Sequence, residues 1–188
     1  MLILASASPR RQELLRNAGI NFNVHPADIP EVPLADESGN SCAERLAREK
    51  AQAVFRHYPK DVILGADTVV VIEGTILGKP TDPADAARML RLLSGKTHEV
   101  TTGVCLIAPA DQNRRIDTRF ETTLVSMNVL TDDEIRDYIA SGEPMDKAGA
   151  YAIQGRASRW IPRIEGDYFN VVGLPVALVW KMLQVAGK

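Results

Sequence analysis

The chain has 188 residues, 45% of them apolar (AVILMFWYC) and 24% charged, with a formal net charge of −2. This suits one domain spanning 1–188 and excludes a disordered, tail-rich chain, while 13 Gly and 11 Pro argue against a coiled coil. No apolar run approaches the roughly 20 residues of a membrane span, and 22 Lys+Arg against 24 Asp+Glu leave no basic excess for sequence-blind binding of nucleic acid.

Met1 to Ser6 lack the basic start and long apolar run of a signal peptide. The two cysteines, Cys42 and Cys105, do not make a disulfide framework and read as buried thiols, so the expected compartment is the cytoplasm. Leu2-Ile3-Leu4 reads as a short buried strand. Ser8-Pro9 then reads as N-cap and first residue of a helix that runs through Leu14, Leu15 and Ala18 and stops at Gly19. Phe22 to His25 is a candidate strand, and the Pro-, Asp- and Glu-rich stretch 26–40 a surface loop. Ser41-Cys42-Ala43-Glu44 reads as a capping box opening a helix to about Tyr58.

Val62 to Ile72 is one long apolar strand containing Gly65-Ala66-Asp67-Thr68, and Glu73-Gly74 turns it tightly into Thr75-Ile76-Leu77. A helix follows Asp82-Pro83 and ends near Ser94-Gly95. Residues 97–108 and 115–129 alternate as an antiparallel pair joined by a polar connection at 109–114. Thr131-Asp132-Asp133-Glu134 is a second capping box, Trp160 to Ile164 an edge strand or bulge because of Pro162, and Pro175 opens a final amphipathic helix through Val179 and Met182. The hairpins predict an α/β chain with a mixed sheet rather than a doubly wound parallel one.

The informative residues are charges where the pattern calls for apolar side chains. Asp67 interrupts the strand 62–72, and a buried unpaired carboxylate costs several kcal/mol, on the order of what many domains have in total. Such a residue is paired, bound to a metal, placed at the mouth of a cleft, or structural at a bulge beside Gly65. Lys50 falls in the apolar stripe Ala43, Leu46, Ala47, Ala51, Val54, and either snorkels or points into a polar pocket. Ser6-Ala7-Ser8-Pro9-Arg10-Arg11 combines a helix start with two guanidiniums, which suits an anion. Lys79 stands near a turn, and Lys147 and Gln154 flank an Ala/Gly-rich segment where backbone can approach a ligand.

The phosphate-binding and hydrolase motifs G-x-x-x-x-G-K-[ST], G-x-G-x-x-G and G-x-S-x-G do not occur. His25, His57 and His98 have no zinc-ligand spacing, and His98 reads as a strand-face residue. The remaining set of cations with Glu31 and Asp67 suits a polyphosphate and a hard divalent ion.

In order along the chain, Ser6-Ala7-Ser8-Pro9-Arg10-Arg11, Ala47-Arg48-Glu49-Lys50-Ala51, Gly65-Ala66-Asp67-Thr68-Val69, Gly78-Lys79-Pro80, Ser94-Gly95-Lys96-Thr97-His98, Asp146 to Gly155 and Val172-Gly173-Leu174-Pro175 together resemble the Maf family of nucleoside triphosphate pyrophosphatases. The resemblance implies an elongated, twisted mixed β-sheet flanked by helices with a central cleft, similar to the inosine triphosphatase group. It implies cleavage of a nucleoside triphosphate between the α and β phosphates, with a divalent cation (Mg²⁺ or Mn²⁺). Asp67 would be the proton acceptor and, with Glu31, a metal ligand. Ser8, Arg10, Arg11, Lys50, Thr68, Lys79 and Gln154 would bind substrate or set specificity. Arg10, Thr68 and Gln154 match the subgroup suited to dTTP and UTP rather than the one suited to 7-methyl-GTP, and a Gln amide can both donate to and accept from a uracil or thymine edge. The resemblance further implies a homodimer, with no nucleic-acid or membrane partner. The alternatives are 7-methyl-GTP pyrophosphatase and a non-enzymatic cell-division or septum regulator.

Overall fold

The computed structural model describes residues 1–109 and 114–186. Its centre is a seven-stranded open sheet in the order β2-β1-β3-β5-β6-β7, with β4 also paired to β3. The strands are β1 (Leu2–Leu4), β2 (Asn23–Val24), β3 (Val62–Ile72), β4 (Thr75–Leu77), β5 (Thr97–Pro109), β6 (Arg114–Ser126) and β7 (Arg163–Glu165). β1 runs parallel to both β2 and β3. Every other pairing is antiparallel, so the expected mixed sheet is present. The helices are α1 (Pro9–Asn17), α2 (Gly39–Phe55), α3 (Pro83–Leu93), α4 (Asp132–Ala140), α5 (Tyr168–Val172) and α6 (Val176–Ala186). Among the described residues, no helix is long and apolar enough to cross a membrane.

Strand alternation divides the apolar residues between two faces. On one face Ile3, Ala5, Ile63, Cys105 and Ile107 pack against Ala47, Ala51 and Val54 of α2. On the other, Leu2, Leu4, Leu64, Ala66, Val104 and Leu106 meet Leu14, Leu15, Val179 and Met182 of α1 and α6. Farther along that face, Val70, Ile72, Val100 and Val125 meet α3 and α4 through Leu90, Leu93, Ile135 and Tyr138. α2 crosses very close to the sheet because Gly65 and Gly103 lie beneath it. A Cβ on either would come within 2.1 Å of the Ala47 carbonyl or 2.2 Å of the Ala43 carbonyl. Gly65 therefore marks a helix–strand approach rather than a bulge, and the β3–β5 ladder runs unbroken through it from Ile63 to Val71.

Both cysteines are buried thiols, as expected. The Glu73-Gly74 hairpin forms with both residues at positive φ, 50° and 77°, and the Thr131–Glu134 capping box is complete. The start of α2 corrects the reading of Ser41 as its cap. Ser38 is the N-cap and its hydroxyl accepts from Ser41 N at 3.2 Å, so the helix begins a turn earlier. Ser41 Oγ turns back to Ser38 Oγ at 3.0 Å instead. Gly39, whose absent Cβ would meet Val71 Cγ2 at 2.4 Å, lets that extra turn lie on β3. α2 also ends at Phe55 rather than Tyr58. The segment read as a strand from Trp160 begins as a 3-10 turn over Arg156–Trp160, and the edge strand starts only after Pro162, at Arg163. The predicted strands 97–108 and 115–129 correspond to β5 and β6, and of their predicted connection residues 110–113 lie outside the described residues.

Candidate active site

The cleft follows from unequal strand lengths. β5 covers one edge of β3 continuously from Ile63 to Val71. Along the other edge β1 pairs only with Val62 to Leu64, and β4 only with Val70 to Ile72. Residues 65–69 of β3 therefore lie in a gap between two short strands. The chain leaves that gap through Ser6-Ala7-Ser8 after β1 and through Gly78-Lys79 after β4. A cavity of about 800 Å³ opens there, lined by Ser8, Arg10, Arg11, Glu31, Lys50, Asp67, Thr68, Lys79 and Gln154 among others. All nine predicted site residues meet in it.

Alternation sends Asp67 and Thr68 to opposite faces of the sheet. Asp67, 6% exposed, points toward α2 and accepts from Lys50 Nζ at 2.6 Å through Oδ1. Among the described residues Oδ2 has no hydrogen-bond partner. Lys50 thus points into a polar pocket rather than snorkelling. Its ammonium also meets Glu31 Oε1 at 2.5 Å, and Lys79 Nζ donates to Glu31 Oε2 at 2.7 Å. Partial burial penalises the ionised Glu31, but the hydrogen bonds from Lys50 and Lys79 outweigh it and bring the carboxyl to about 2. The 26–38 loop carrying Glu31 is clamped from behind. Arg45 of α2 bonds both Glu37 oxygens at 2.7 and 2.8 Å and donates to the Val32 carbonyl at 3.0 Å.

Arg11 lies on the other face of the sheet, with Thr68, and is 8% exposed. Its guanidinium donates to the Gly173 carbonyl at 2.8 Å, Ser6 Oγ at 3.1 Å and Thr68 Oγ1 at 3.0 Å. Among the described residues no carboxylate lies within ion-pair distance of it. Burial pulls Arg11 below its ordinary value against the more distant pull of Asp67 and Glu31. Of the five N–H donors of a guanidinium, three are used and two remain. Buried charges are ordinarily paired, so this guanidinium is set up to receive an anion. Thr68 Oγ1 also bonds Thr102 Oγ1 at 2.9 Å, and Thr102 donates to the Asn170 carbonyl at 3.1 Å. A chain of hydroxyls thereby fixes the Arg11 side of the gap to α5.

The other predicted residues occupy the rim. Ser8 caps α1 by accepting from Arg11 N. Arg10, 31% exposed, makes a loose 3.8 Å ion pair to Asp146. Lys79 is 56% exposed. Gln154 is exposed and makes no side-chain hydrogen bond among the described residues. Sequence reasoning did not single out Thr102 or Asn170, whose polar side chains carry no pattern signal in strands and short helices. It named Ser6 only as part of a motif. His98, expected on a strand face, is 2% exposed and bonds Tyr151 Oη at 2.7 Å behind the cleft wall.

The cleft combines a buried carboxylate, one oxygen of which has no hydrogen-bond partner among the described residues, with five cations (Arg10, Arg11, Lys50, Lys79 and Lys147) and a helix start, an arrangement able to hold a polyphosphate and take a proton from a water beside it. The Maf-like protein family profile matches residues 1–186. A protein named dTTP/UTP pyrophosphatase from Koribacter versatilis (strain Ellin345) is 60% identical over 186 residues, 99% of this chain and 94% of that protein. Proteins of the same name from Geobacillus sp. (strain WCH70) and Syntrophomonas wolfei subsp. wolfei are each 52% identical. They cover 94% and 98% of this chain, and 92% and 96% of their own lengths.

Proposed function

The chain belongs to the Maf family, and on that premise we propose that residues 1–188 form one domain that hydrolyses dTTP and UTP to the monophosphate and pyrophosphate. The observation that carries this reading is the buried Arg11 guanidinium, without a carboxylate partner among the described residues, in the same gap as the Lys50-bound Asp67. The first suits an anion; the second offers a base at the same gap in the sheet. The names of the relatives support the choice of base.

In the proposed reaction the triphosphate lies along Arg11, Arg10, Lys79 and the start of α1, with Ser8 at the helix cap. Asp67 Oδ2 accepts a proton from a water attacking the α phosphorus, and the bond from that phosphorus to the bridging oxygen breaks to release pyrophosphate. Lys50 holds Asp67 Oδ1, so the carboxylate cannot rotate away from the gap. Charge developing on the phosphate oxygens falls on cations already in place. Gln154, Arg10 and Thr68 set base choice.

Among the described residues there is no cluster of three or more His, Cys, Asp and Glu able to cage a metal. The donor set instead fits a hard ion bound through one or two carboxylates, with phosphate and water oxygens completing its shell. Glu31 and Asp67 would hold such an ion, Mg²⁺ or Mn²⁺, which would supply charge neutralisation on the phosphates. A cytoplasmic homodimer is part of the same reading.

Pyrophosphate release from a panel of nucleotides with Mg²⁺ or Mn²⁺ is the test. Turnover of dTTP and UTP ahead of 7-methyl-GTP and purine triphosphates is expected. Faster turnover of 7-methyl-GTP, or no release from any nucleotide, would defeat the proposal.

A further inference from the structure

We infer that Glu143 is a positioning residue for base selection, holding in place the loop that carries Gln154. The inference rests on the reading of Gln154 as the residue that meets the base. The Gln154 side chain makes no hydrogen bond among the described residues, so the hydrogen bonds that place this residue in the cleft are those of the backbone on either side of it. That backbone is tied to a single carboxylate on both sides. Two residues after Gln154, Arg156 N donates to Glu143 Oε1 at 3.0 Å and Oε2 at 3.2 Å. Two residues before it, Ala152 N donates to Tyr138 Oη at 3.2 Å, and the Tyr138 hydroxyl donates in turn to Glu143 Oε1 at 2.9 Å.

The turn between these anchors is closed by Gly155 N donating to the Ala152 carbonyl at 3.1 Å. Gly155 is needed for the approach: a Cβ there would lie 1.9 Å from Glu143 Oε1. Glu143 is itself fixed, its N–H donating to Ser141 Oγ at 3.3 Å and its carbonyl accepting from Lys147 Nζ at 3.3 Å. Met145, Asp146 and Lys147, immediately after it, line the same cleft. A carboxylate suits this place because it only accepts, and every group facing it donates. Glu143 reaches neither the phosphate cations nor Asp67, so its effect falls on the base end of the substrate.

The test compares Glu143→Ala, Glu143→Gln and Tyr138→Phe with the wild-type enzyme on dTTP, UTP and dGTP. Misplacing a contact group by about 1 Å costs up to about 100-fold. Glu143→Ala is therefore expected to raise KM for dTTP and UTP about 10-fold, with kcat and the dGTP rate held within about twofold. Glu143→Gln keeps one acceptor oxygen and should restore KM to within about threefold of wild type. Tyr138→Phe should raise KM in the same direction by less, and amide hydrogen exchange at Ala152 and Arg156 should speed up in Glu143→Ala.

An unchanged preference for dTTP over dGTP in Glu143→Ala overturns the inference, as does an equal fall on every substrate. If that variant does not fold, an unchanged preference in Tyr138→Phe overturns it in the same way. A wild-type enzyme that releases no pyrophosphate from dTTP defeats the underlying function instead, a result seen before any variant is made.

Discussion

On the α2 face of β3, Lys50 is 6% exposed and stands within 2.6 Å of Asp67 and 2.5 Å of Glu31. On the opposite face, Arg11 is 8% exposed and its guanidinium donates, among the described residues, only to two hydroxyls and a carbonyl. Both cations are buried at the same gap in the sheet, but only one carries its counter-charges with it. A buried charge with its partner is a complete structural unit, whereas one without is stable enough to keep only because neutral dipoles soften its desolvation. The contrast assigns different work to the two faces. In the proposed reaction the Lys50 face holds the base in position, and the Arg11 face receives phosphate.

The largest effect is expected at Asp67. Asp67→Asn keeps the shape and one acceptor for Lys50 but loses proton-accepting capacity, so kcat should fall roughly 100-fold or more. A melting curve on the same preparation should show the fold intact; near-wild-type kcat would move the base to Glu31. The paired character of Lys50 is tested by stability. Lys50→Met leaves Asp67 buried without its cation and should cost about 3–5 kcal/mol in urea unfolding. Lys79→Met removes a cation that is 56% exposed and should cost at most about 1 kcal/mol. Equal losses would erase the distinction between the buried pair and the rim pair.

A third buried polar group serves as the control, since it is closed off from the cleft. His98 is pushed down to about 4 from 6.5 by burial, and its Nδ1 has no partner among the described residues. The folded form therefore binds a proton less readily than the unfolded chain. The stability from keeping it neutral is present above 6.5 and is lost as pH falls from 6.5 toward 4, by up to about 3 kcal/mol. Urea midpoints between pH 7 and pH 4.5 measure this slope, and His98→Gln should flatten it. A slope unchanged in that variant would place the acid sensitivity elsewhere. A more modest effect is expected on substrate capture: Arg11→Ala should lower kcat/KM for dTTP by roughly 10-fold, chiefly through KM. A loss confined to kcat would contradict the anion-binding role.

Much of this site was legible because two charges break a periodic pattern. Asp67 stands in a mostly apolar strand of 11, and Lys50 stands in the apolar stripe of α2. Each mismatch has an energetic cost that only a partner can remove, and they turn out to be each other's partner. The cleft itself was less legible: the three-residue β1 and β4 were read at their observed lengths, but the gap depends on where each pairs along the same edge of β3, which composition does not reveal. The start of α2 was misread because Ser38 and Ser41 offer equivalent caps three residues apart, and the earlier one is open because Gly39 has no Cβ to meet Val71. The five-residue α5 has no periodicity to read, yet its Asn170 carbonyl fixes Thr102, and the carbonyl of Gly173, which caps its end, fixes Arg11. Glu143 gave no signal at all, since its partners lie on segments brought together only by folding.

The division of labour between the two faces is tested most directly by measuring dTTP affinity, separately from turnover, in Asp67→Asn and Arg11→Ala. Calorimetric titration with a dTTP analogue whose α–β bridge resists hydrolysis, in the presence of Mg²⁺, would supply it. With one negative charge fewer facing the phosphates, Asp67→Asn is predicted to bind dTTP as tightly as the wild type or more so, while Arg11→Ala binds at least about 10-fold more weakly. Loss of binding in Asp67→Asn together with wild-type affinity in Arg11→Ala would contradict the account.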